Sequence, residues 1–164
     1  MNYVNLYFTV SNPKASVEFY EKALGLEKRN AMPGPDGNYM HVEMAWHGQA
    51  VMFGPADPRS PQKTPKELGG TPFNFYLYCE DVDALTARAR AAGAKVLIEP
   101  SDQFWGDRMS QIVDPDGYYW TLATHVRDID FSKMTPPEHA DDRKDGEAGA
   151  SGTGAGNGDT TNAE

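Results

Sequence analysis

Cysteine is nearly absent from this sequence, and so are segments that would direct a chain into or across a membrane. Cys79 is the single cysteine among 164 residues, which excludes an intrachain disulfide. No apolar run approaches the roughly 20 residues that a helix needs to span a bilayer. The N-terminus shows no basic region followed by an apolar signal core. We therefore expect a cytoplasmic protein that has no membrane partner.

Positive charge is also scarce. The chain carries 15 Lys and Arg against 24 Asp and Glu, a formal net charge of −9 at pH 7. A negative protein repels phosphate backbones, and no patch of clustered Lys and Arg interleaved with aromatic residues stands out. Glycine-rich phosphate-binding signatures are missing as well. Nucleic acid is therefore not an expected partner.

The end of the chain lacks large apolar side chains. Residues 138–164 contain no Leu, Ile, Val, Phe, Tyr or Trp, and their seven acidic and two basic residues give a net charge of −5. Such a segment cannot bury enough apolar surface to offset the entropy lost on ordering. We predict a folded domain over residues 1–130 and a disordered, acidic, Gly/Ala-rich tail over residues 131–164.

What the sequence does contain is an internal duplication. Asn-Leu-Tyr-Phe at 5–8 recurs as Asn-Phe-Tyr-Leu at 74–77, a separation of 69 residues. The candidate helix caps Asn12 and Asp81 keep the same separation. Self-similarity at one fixed period predicts a repeated structural unit. We place the two modules at residues 1–54 and 72–130, with a proline-rich linker at 55–71.

Each module reads as a strand, a helix and then three strands. Residues 4–10 alternate between apolar and polar as a half-buried strand does. Asn12 can cap a helix that has Pro13 in its first turn and Gly25 at its end. We predict an α+β fold in which two tandem βαβββ modules form a curved mixed-sheet cup with the helices on the outer face.

The strand faces turned away from the helices should line this cup. They carry the following side chains: Asn5, Tyr7, Thr9, Ala50, Met52, Asn74, Tyr76, Tyr78, Tyr119, Thr121 and Ala123. Phenol rings line small-molecule pockets, and their hydroxyls can orient a ligand. The alternative is that the tyrosines pack against one another and fill the cup, which then binds no ligand.

A loop near residue 105 offers a second group of candidate contacts. A planar ligand could stack on Trp105, and Arg108 could fork onto a carboxylate or a phosphate. The alternative is that Trp105 plugs the edge of the core while Asp107 and Arg108 pair with each other.

Several short segments, in this order within the duplicated frame, resemble the vicinal oxygen chelate superfamily, which includes glyoxalases, bleomycin-resistance proteins and extradiol dioxygenases. The first module contributes Ser16–Tyr20 with Leu24-Gly25, and the second contributes Ala91–Ala94 with Asp114–Tyr118. The stretch from Phe104 to Met109, with Trp120–His125 downstream, is similar to the PhnB-like branch.

The resemblance also implies where a metal would be bound. In metal-dependent members the first strand of each module supplies a His or similar ligand, and the last strand supplies a Glu. Those positions here hold Asn5, Met52, Asn74 and Thr121. Two amides, a thioether and a hydroxyl are poor ligands for divalent metals of this kind. We therefore expect no cofactor, and the metal-assisted proton transfer of glyoxalases to be lost.

We predict a protein that binds a small organic molecule, possessing no catalytic residues and sequestering a toxic or aromatic compound as a homodimer. The predicted ligand contacts are Asn5, Tyr7, Met52, Asn74, Tyr76, Trp105, Arg108, Tyr119 and Thr121. One alternative is a metal-dependent lyase, isomerase or dioxygenase with relocated ligands such as His41 and Glu43, which share a strand face. Another is an interaction module that recruits partners through the acidic tail.

Overall fold

The computed structural model describes residues 5–133 and contains two copies of the same succession of elements. The elements in chain order are β1 (Leu6–Val10), α1 (Pro13–Ala23), β2 (Glu27–Pro33), β3 (Tyr39–Trp46), β4 (Gln49–Pro55), α2 (Pro65–Leu68), β5 (Phe75–Tyr78), α3 (Val82–Ala91), β6 (Lys95–Asp102), β7 (Asp107–Val113), β8 (Tyr119–His125) and a short 3₁₀ helix (Phe131–Lys133). The predicted βαβββ modules and α+β class are confirmed.

The strands form two four-stranded mixed sheets of matching topology. The strand order is β1-β4-β3-β2 in the first sheet and β5-β8-β7-β6 in the second. The first strand of each module runs parallel to the last, whereas the other pairs are antiparallel. The two modules together form a cup.

Both long helices begin at a side-chain cap, as the sequence predicts. Asn12 Oδ1 accepts a hydrogen bond from the Ala15 amide at 3.1 Å, and Asp81 Oδ1 accepts one from the Ala84 amide at 2.9 Å. Each cap satisfies a donor that has no partner inside the helix, which is typically worth about 1 kcal/mol. The caps therefore fix where each helix leaves its preceding strand.

The linker contains a helical turn that the sequence analysis did not foresee. Thr64 caps α2 and forms a capping box with Glu67, whose carboxylate accepts from the Thr64 amide at 2.8 Å. Pro65 occupies the first turn, where its missing N–H has no consequence. The crossing between the modules is thus ordered by its own local bonds.

One aromatic core joins the two modules. Phe8 of β1 lies 5.1 Å from Phe75 of β5, and Phe75 stacks on Trp120 of β8 at 4.0 Å between ring centroids. Tyr20 of α1 contacts both Phe53 and Trp120. Burying a large apolar side chain stabilises a fold by about 1.5–3 kcal/mol, so this shared core holds the two sheets together.

The turn before β8 fastens the second module to α1. Asp114 Oδ2 accepts hydrogen bonds from Tyr20 Oη at 2.7 Å and from Trp120 Nε1 at 3.0 Å. Burial raises the pKa of Asp114 despite these bonds. Asp116 accepts from the Ser11 amide at 3.0 Å. A further hydrogen bond joins the two modules: Trp46 Nε1 of β3 donates to the Tyr78 carbonyl of β5 at 3.0 Å.

Between residues 5 and 133 there is no helix with the length and apolar character needed to cross a membrane. Residues 134–164, which hold most of the predicted acidic tail, lie outside the described part of the chain.

Candidate functional site

We call the sheet surface opposite α1 and α3 the concave face. On β1, β3, β4, β5, β7 and β8 it comprises Tyr7, Thr9, His41, Glu43, Ala45, Ala50, Met52, Gly54, Tyr76, Tyr78, Asp107, Met109, Gln111, Val113, Tyr119, Thr121, Ala123 and His125. Tyr7, Met52 and Glu43 form one row across the first sheet, and Tyr76, Thr121 and Gln111 form the matching row across the second. The alternation of side chains along paired strands creates these rows.

Four large aromatic side chains on this face are only half covered. Tyr7 and Tyr76 are each 46% exposed, Tyr78 is 55% exposed and Tyr119 is 39% exposed. Their counterparts on the other face, such as Phe8 and Phe75, are buried. Aromatic area of this kind is usually buried in a core or used at a binding surface.

Tyr7 is held in place by its neighbours in the first module. Its ring stacks on that of His41, with centroids 5.7 Å apart and planes 15° from parallel. Its hydroxyl lies over Gly54, where a Cβ atom would stand 2.5 Å from Tyr7 Oη. Gly54 therefore provides the space that the phenol occupies.

In the second module a buried carboxylate gathers four hydrogen-bond donors. We call Asp107, Tyr76, Tyr78, Trp105 and His125 the Asp107 cluster. Asp107 Oδ2 accepts from Tyr76 Oη at 3.1 Å, from Tyr78 Oη at 2.9 Å and from Trp105 Nε1 at 3.2 Å. Its Oδ1 lies 3.1 Å from His125 Nδ1. Asp107 is 3% exposed, so its charge is stabilised by these donors rather than by bulk water.

The hydrogen bonds decide which members of the cluster are charged. Burial alone would raise the pKa of Asp107, but the bonds from His125, Tyr78, Tyr76 and Trp105 outweigh burial and lower it below its ordinary value. The bond to Asp107 raises the pKa of Tyr78 to about 12, and burial together with Asp107 raises that of Tyr76. The carboxylate is therefore ionised, and both phenols keep their protons and donate them inward.

His125 links the cluster to solvent. Its Nε2 lies 3.0 Å from Asp128 Oδ1, while Nδ1 faces Asp107. Hydrogen bonds to Asp128 and Asp107 raise the pKa of His125. Sequence reasoning assigned His125 no role. The alternation of residues 121, 123 and 125 along β8 was the signal that places it on the concave face.

The structure brings two of the four metal-ligand positions into contact. Asn74 Nδ2 donates to Thr121 Oγ1 at 3.0 Å, and the Thr121 amide donates to Asn74 Oδ1 at 3.2 Å. Asn5 is half-buried just before β1, and Met52 pairs with Tyr7 in register. The polar groups of Asn74 and Thr121 are thus bonded to each other.

These residues do not fit the metal that the resemblance implies. A shift of two residues in either direction would bring in Tyr3, Tyr7, Ala50, Gly54, Pro72, Tyr76, Tyr119 or Ala123, none of which is a His, Cys, Asp or Glu. Over residues 5–133, no three His, Cys, Asp or Glu side chains are grouped so as to hold a metal ion. The mismatch does not depend on the register chosen.

His41 and Glu43, the alternative metal pair, are hydrogen-bonded to each other. His41 Nε2 lies 3.4 Å from Glu43 Oε1, and Glu43 Oε2 accepts from Asn30 Nδ2 at 2.8 Å. Hydrogen bonds from Asn30 and His41 lower the pKa of Glu43. The pair therefore places a carboxylate on the concave face.

Arg108 faces away from the cup. Its Nε and Nη2 bond to Asp83 of α3 at 2.6 and 2.8 Å, and its Nη1 bonds to Asp102 at 3.0 Å. The Arg108 guanidinium, which was expected to bind an anionic group of the ligand, therefore binds two carboxylates of the chain itself. The alternative pairing of Asp107 with Arg108 does not form, because neighbouring residues on β7 point to opposite faces.

A cavity of about 380 Å³ lies next to Tyr76 and Tyr78. Most of its lining, including Trp46, Val51 and Phe75, belongs to the helix-facing side of the sheets. This cavity therefore borders the concave face and is not part of it.

Comparison with known proteins agrees with the fold and with the pattern of residues. The model of the Glyoxalase/Bleomycin resistance protein/Dioxygenase superfamily matches residues 1–122. The chain belongs to this superfamily. An uncharacterised protein of Mycobacterium bovis is 35% identical over 131 residues, covering 78% of this chain and 86% of its own length.

Solved structures of other proteins share the architecture at low identity. TioX from Micromonospora sp. ML1 has a TM-score of 0.62 and 22% identity, and the match covers 77% of this chain and all of TioX. A glyoxalase/bleomycin resistance protein/dioxygenase family enzyme from Burkholderia phytofirmans has a TM-score of 0.60 and 16% identity, covering 74% of this chain and 97% of that one. At such identities the likeness concerns the fold alone.

Proposed function

We propose that this superfamily member binds a small aromatic molecule on its concave face without a catalytic metal, and sequesters it there. The observation that supports this most directly is the set of four half-exposed tyrosines, Tyr7, Tyr76, Tyr78 and Tyr119. Rings of this kind offer a large contact area at a low cost in conformational entropy. Asp107 already holds the hydroxyls of Tyr76 and Tyr78, which lowers that cost further.

The ligand contacts in this proposal come from both walls of the cup. Tyr7 and Met52 supply the first wall, and Tyr76, Tyr119 and Trp105 supply the second. The remaining polar contacts are Asn5 and Asn74. Thr121 is left out, since it is buried and its hydroxyl is bonded to Asn74. Arg108 is left out, since Asp83 and Asp102 occupy its guanidinium.

Two finer assignments belong to the same proposal. The pattern from Phe104 to Met109 supports a place in the PhnB-like branch, and the family resemblance supports a cytoplasmic homodimer. Analytical ultracentrifugation of the full chain would detect the dimer.

A thermal-shift screen of planar aromatic compounds against metal-free protein tests the proposal. A compound that raises the melting temperature should bind about tenfold more weakly to a Tyr119→Ala variant, because a ring contact is lost. Glu18→Ala is the control, since Glu18 is exposed on α1, on the outer side of the sheet. Equal weakening by both substitutions would contradict a concave site.

Two further measurements separate the alternatives. Stoichiometric metal after purification with zinc, nickel, manganese and iron supplied, lost in a His41→Ala variant, would overturn the metal-free proposal in favour of a metal-dependent enzyme. Deleting residues 134–164 should leave aromatic binding unchanged. Loss of binding on deletion would instead favour an interaction module that works through its tail.

A further inference from the structure

The hydrogen bonds of the Asp107 cluster determine which ligand groups its tyrosines can recognise. A phenol has one donor and two acceptor lone pairs. Tyr76 and Tyr78 both donate to Asp107, so their protons are committed inward. Toward a ligand their oxygens can then act only as acceptors, and the Tyr78 oxygen is the more available of the two, because that of Tyr76 also accepts from Trp105 and Tyr78. This end of the cup therefore favours ligand N–H and O–H groups over carbonyl, carboxylate or phosphonate oxygens.

The charges on the concave face point in the same direction. Glu43 is a carboxylate on the first wall, and Asp107 is one on the second. None of the concave residues of β1, β3, β4, β5, β7 and β8 is Lys or Arg. On the outermost strands, Arg29 of β2 pairs with Glu27 at 2.8 Å, whereas Lys95 of β6 lies opposite Val113 and so stands at the rim of the concave face. The central strands of the cup therefore offer no basic side chain to an anionic ligand, and Lys95 is confined to its edge.

The exposed rings add to this preference. A cation is attracted to the face of a tyrosine ring by the negative charge density of the ring's π-system. A phenol that donates to an ionised carboxylate is polarised by it, which makes the ring more electron-rich. Tyr76 and Tyr78 are in that state, and their centroids are 5.2 Å apart. Even when His125 is protonated, Asp107 and Asp128 leave this end of the cup negative.

From these observations we infer that the ligand is an aromatic cation: a flat ring system bearing a protonated or donor-rich nitrogen, with the rings on Tyr7 and Tyr119 and the nitrogen at Tyr76 and Tyr78. This inference rests on the proposed binding function and specifies its ligand class. It runs opposite to the sequence-based expectation that Arg108 would hold a carboxylate or phosphate.

Three flat probes of similar size and different charge test the inference. Proflavine is cationic, anthracene methanol is neutral and anthracene carboxylate is anionic. Isothermal titration calorimetry on the full chain at low salt should show proflavine binding at least about tenfold tighter than the carboxylate. Tyr78→Phe should weaken proflavine binding about three- to tenfold, because the acceptor oxygen is lost.

A pair of charge variants separates local from overall electrostatics. Glu43→Gln removes a carboxylate from the concave face, whereas Glu18→Gln removes an exposed one from α1 with the same change in net charge. Only Glu43→Gln should reduce the ratio of the affinity for proflavine to the affinity for anthracene carboxylate. Arg108→Gln should leave it unchanged, and circular dichroism should confirm that all variants are folded.

The outcomes distinguish failure of the inference from failure of the proposed function. Binding of the neutral or anionic probe as tightly as proflavine overturns the inference but leaves a binding cup. Loss of carboxylate binding in Arg108→Gln would overturn it in favour of an arginine site. Equal effects of Glu43→Gln and Glu18→Gln would refute local charge selection. If no probe binds and the compound screen is also empty, the proposed function itself fails.

Discussion

At the scale of single residues, the most demanding feature is a nearly buried carboxylate with four donors around it. An ionised group removed from water destabilises a fold unless hydrogen bonds replace its hydration. Asp107 achieves this with two phenols, an indole and an imidazole. Removal of the carboxylate would therefore leave several donors to compete for fewer acceptors.

Asp107→Asn should lower the free energy of unfolding by about 1–3 kcal/mol, because the amide turns one acceptor into a donor among donors. Urea unfolding followed by circular dichroism measures this. Asp128→Asn, which alters the exposed partner of the same histidine, should change stability by less than about 0.5 kcal/mol. Equal losses in the two variants would show that the cluster contributes nothing through Asp107.

His125 gives the stability of the fold a pH dependence. Its pKa is raised in the folded chain, so the folded state binds this proton more tightly than the unfolded state does. The contribution is complete below the unfolded value of about 6.5 and is lost as the pH rises through the folded pKa. The difference in unfolding free energy between the native chain and His125→Asn should therefore shrink over that window.

An NMR titration provides the control for this dependence. Asp128→Asn should lower the pKa of His125, because one of the two hydrogen bonds that raise it is removed. If the pKa of His125 is unchanged in this variant, the bond to Asp128 does not raise it, and the expected pH dependence of stability is contradicted.

At the scale of elements, the loop between β6 and β7 positions Trp105 for the cluster. Gly106 has φ of 101°, and a Cβ atom there would collide with the carbonyl oxygen of Arg127. The Gly106 carbonyl accepts from the amides of Val126 and Arg127 at 2.9 and 3.1 Å. This glycine therefore joins the loop to the segment after β8.

Gly106→Ala should cost clearly more stability than Gly37→Ala. Both glycines have positive φ, but nothing lies within 4 Å of a Cβ built on Gly37. Gly37→Ala should therefore lower the free energy of unfolding only by the cost of a left-handed backbone at a non-glycine residue, about 1–2 kcal/mol. Gly106→Ala should add the cost of moving the Arg127 carbonyl and should perturb Trp105 fluorescence. Similar losses in thermal unfolding would contradict the collision.

Most elements with local causes were predictable from the sequence, although α2 was missed despite its local capping box between Thr64 and Glu67. The caps Asn12 and Asp81 bond three residues ahead, so a short pattern specifies them. β2 is almost entirely exposed, and it therefore carries no apolar alternation that would set its bounds.

The candidate site divides in the same way. Alternation was sufficient to assign Tyr7 and Tyr76 to one sheet face. It could not reveal that Arg108 turns to Asp83, 25 residues earlier, or that Tyr76 meets Asp107, 31 residues later. Such contacts depend on which helix covers which sheet, and a single sequence does not state this.

At the scale of the whole molecule, the shared core and the Asp114 turn make two modules into one folded unit. Asp114→Asn should lower the free energy of unfolding by about 2–3 kcal/mol, because both carboxylate oxygens accept hydrogen bonds and an amide keeps only one acceptor oxygen. Oδ2 accepts from Tyr20 Oη and Trp120 Nε1, and Oδ1 accepts from the Asp116 and Tyr118 amides. Differential scanning calorimetry measures the loss. Asp102→Asn, an exposed control, should have little effect, and a comparable loss there would contradict the interlock.

The duplicated architecture has walls of unequal chemistry. Tyr7 has its counterpart in Tyr76, but the position that corresponds to Tyr78 holds Thr9, and only the second module builds a carboxylate hub. Two identical modules would present the same side chains to both ends of an elongated ligand, which could then bind in either of two reversed orientations. Here the first wall offers Met52, the stacked His41 imidazole and the Glu43 carboxylate, whereas the second offers the buried Asp107 carboxylate behind two phenols. Under the proposed function, a ligand between them meets different side chains at its two ends and should therefore take a single orientation.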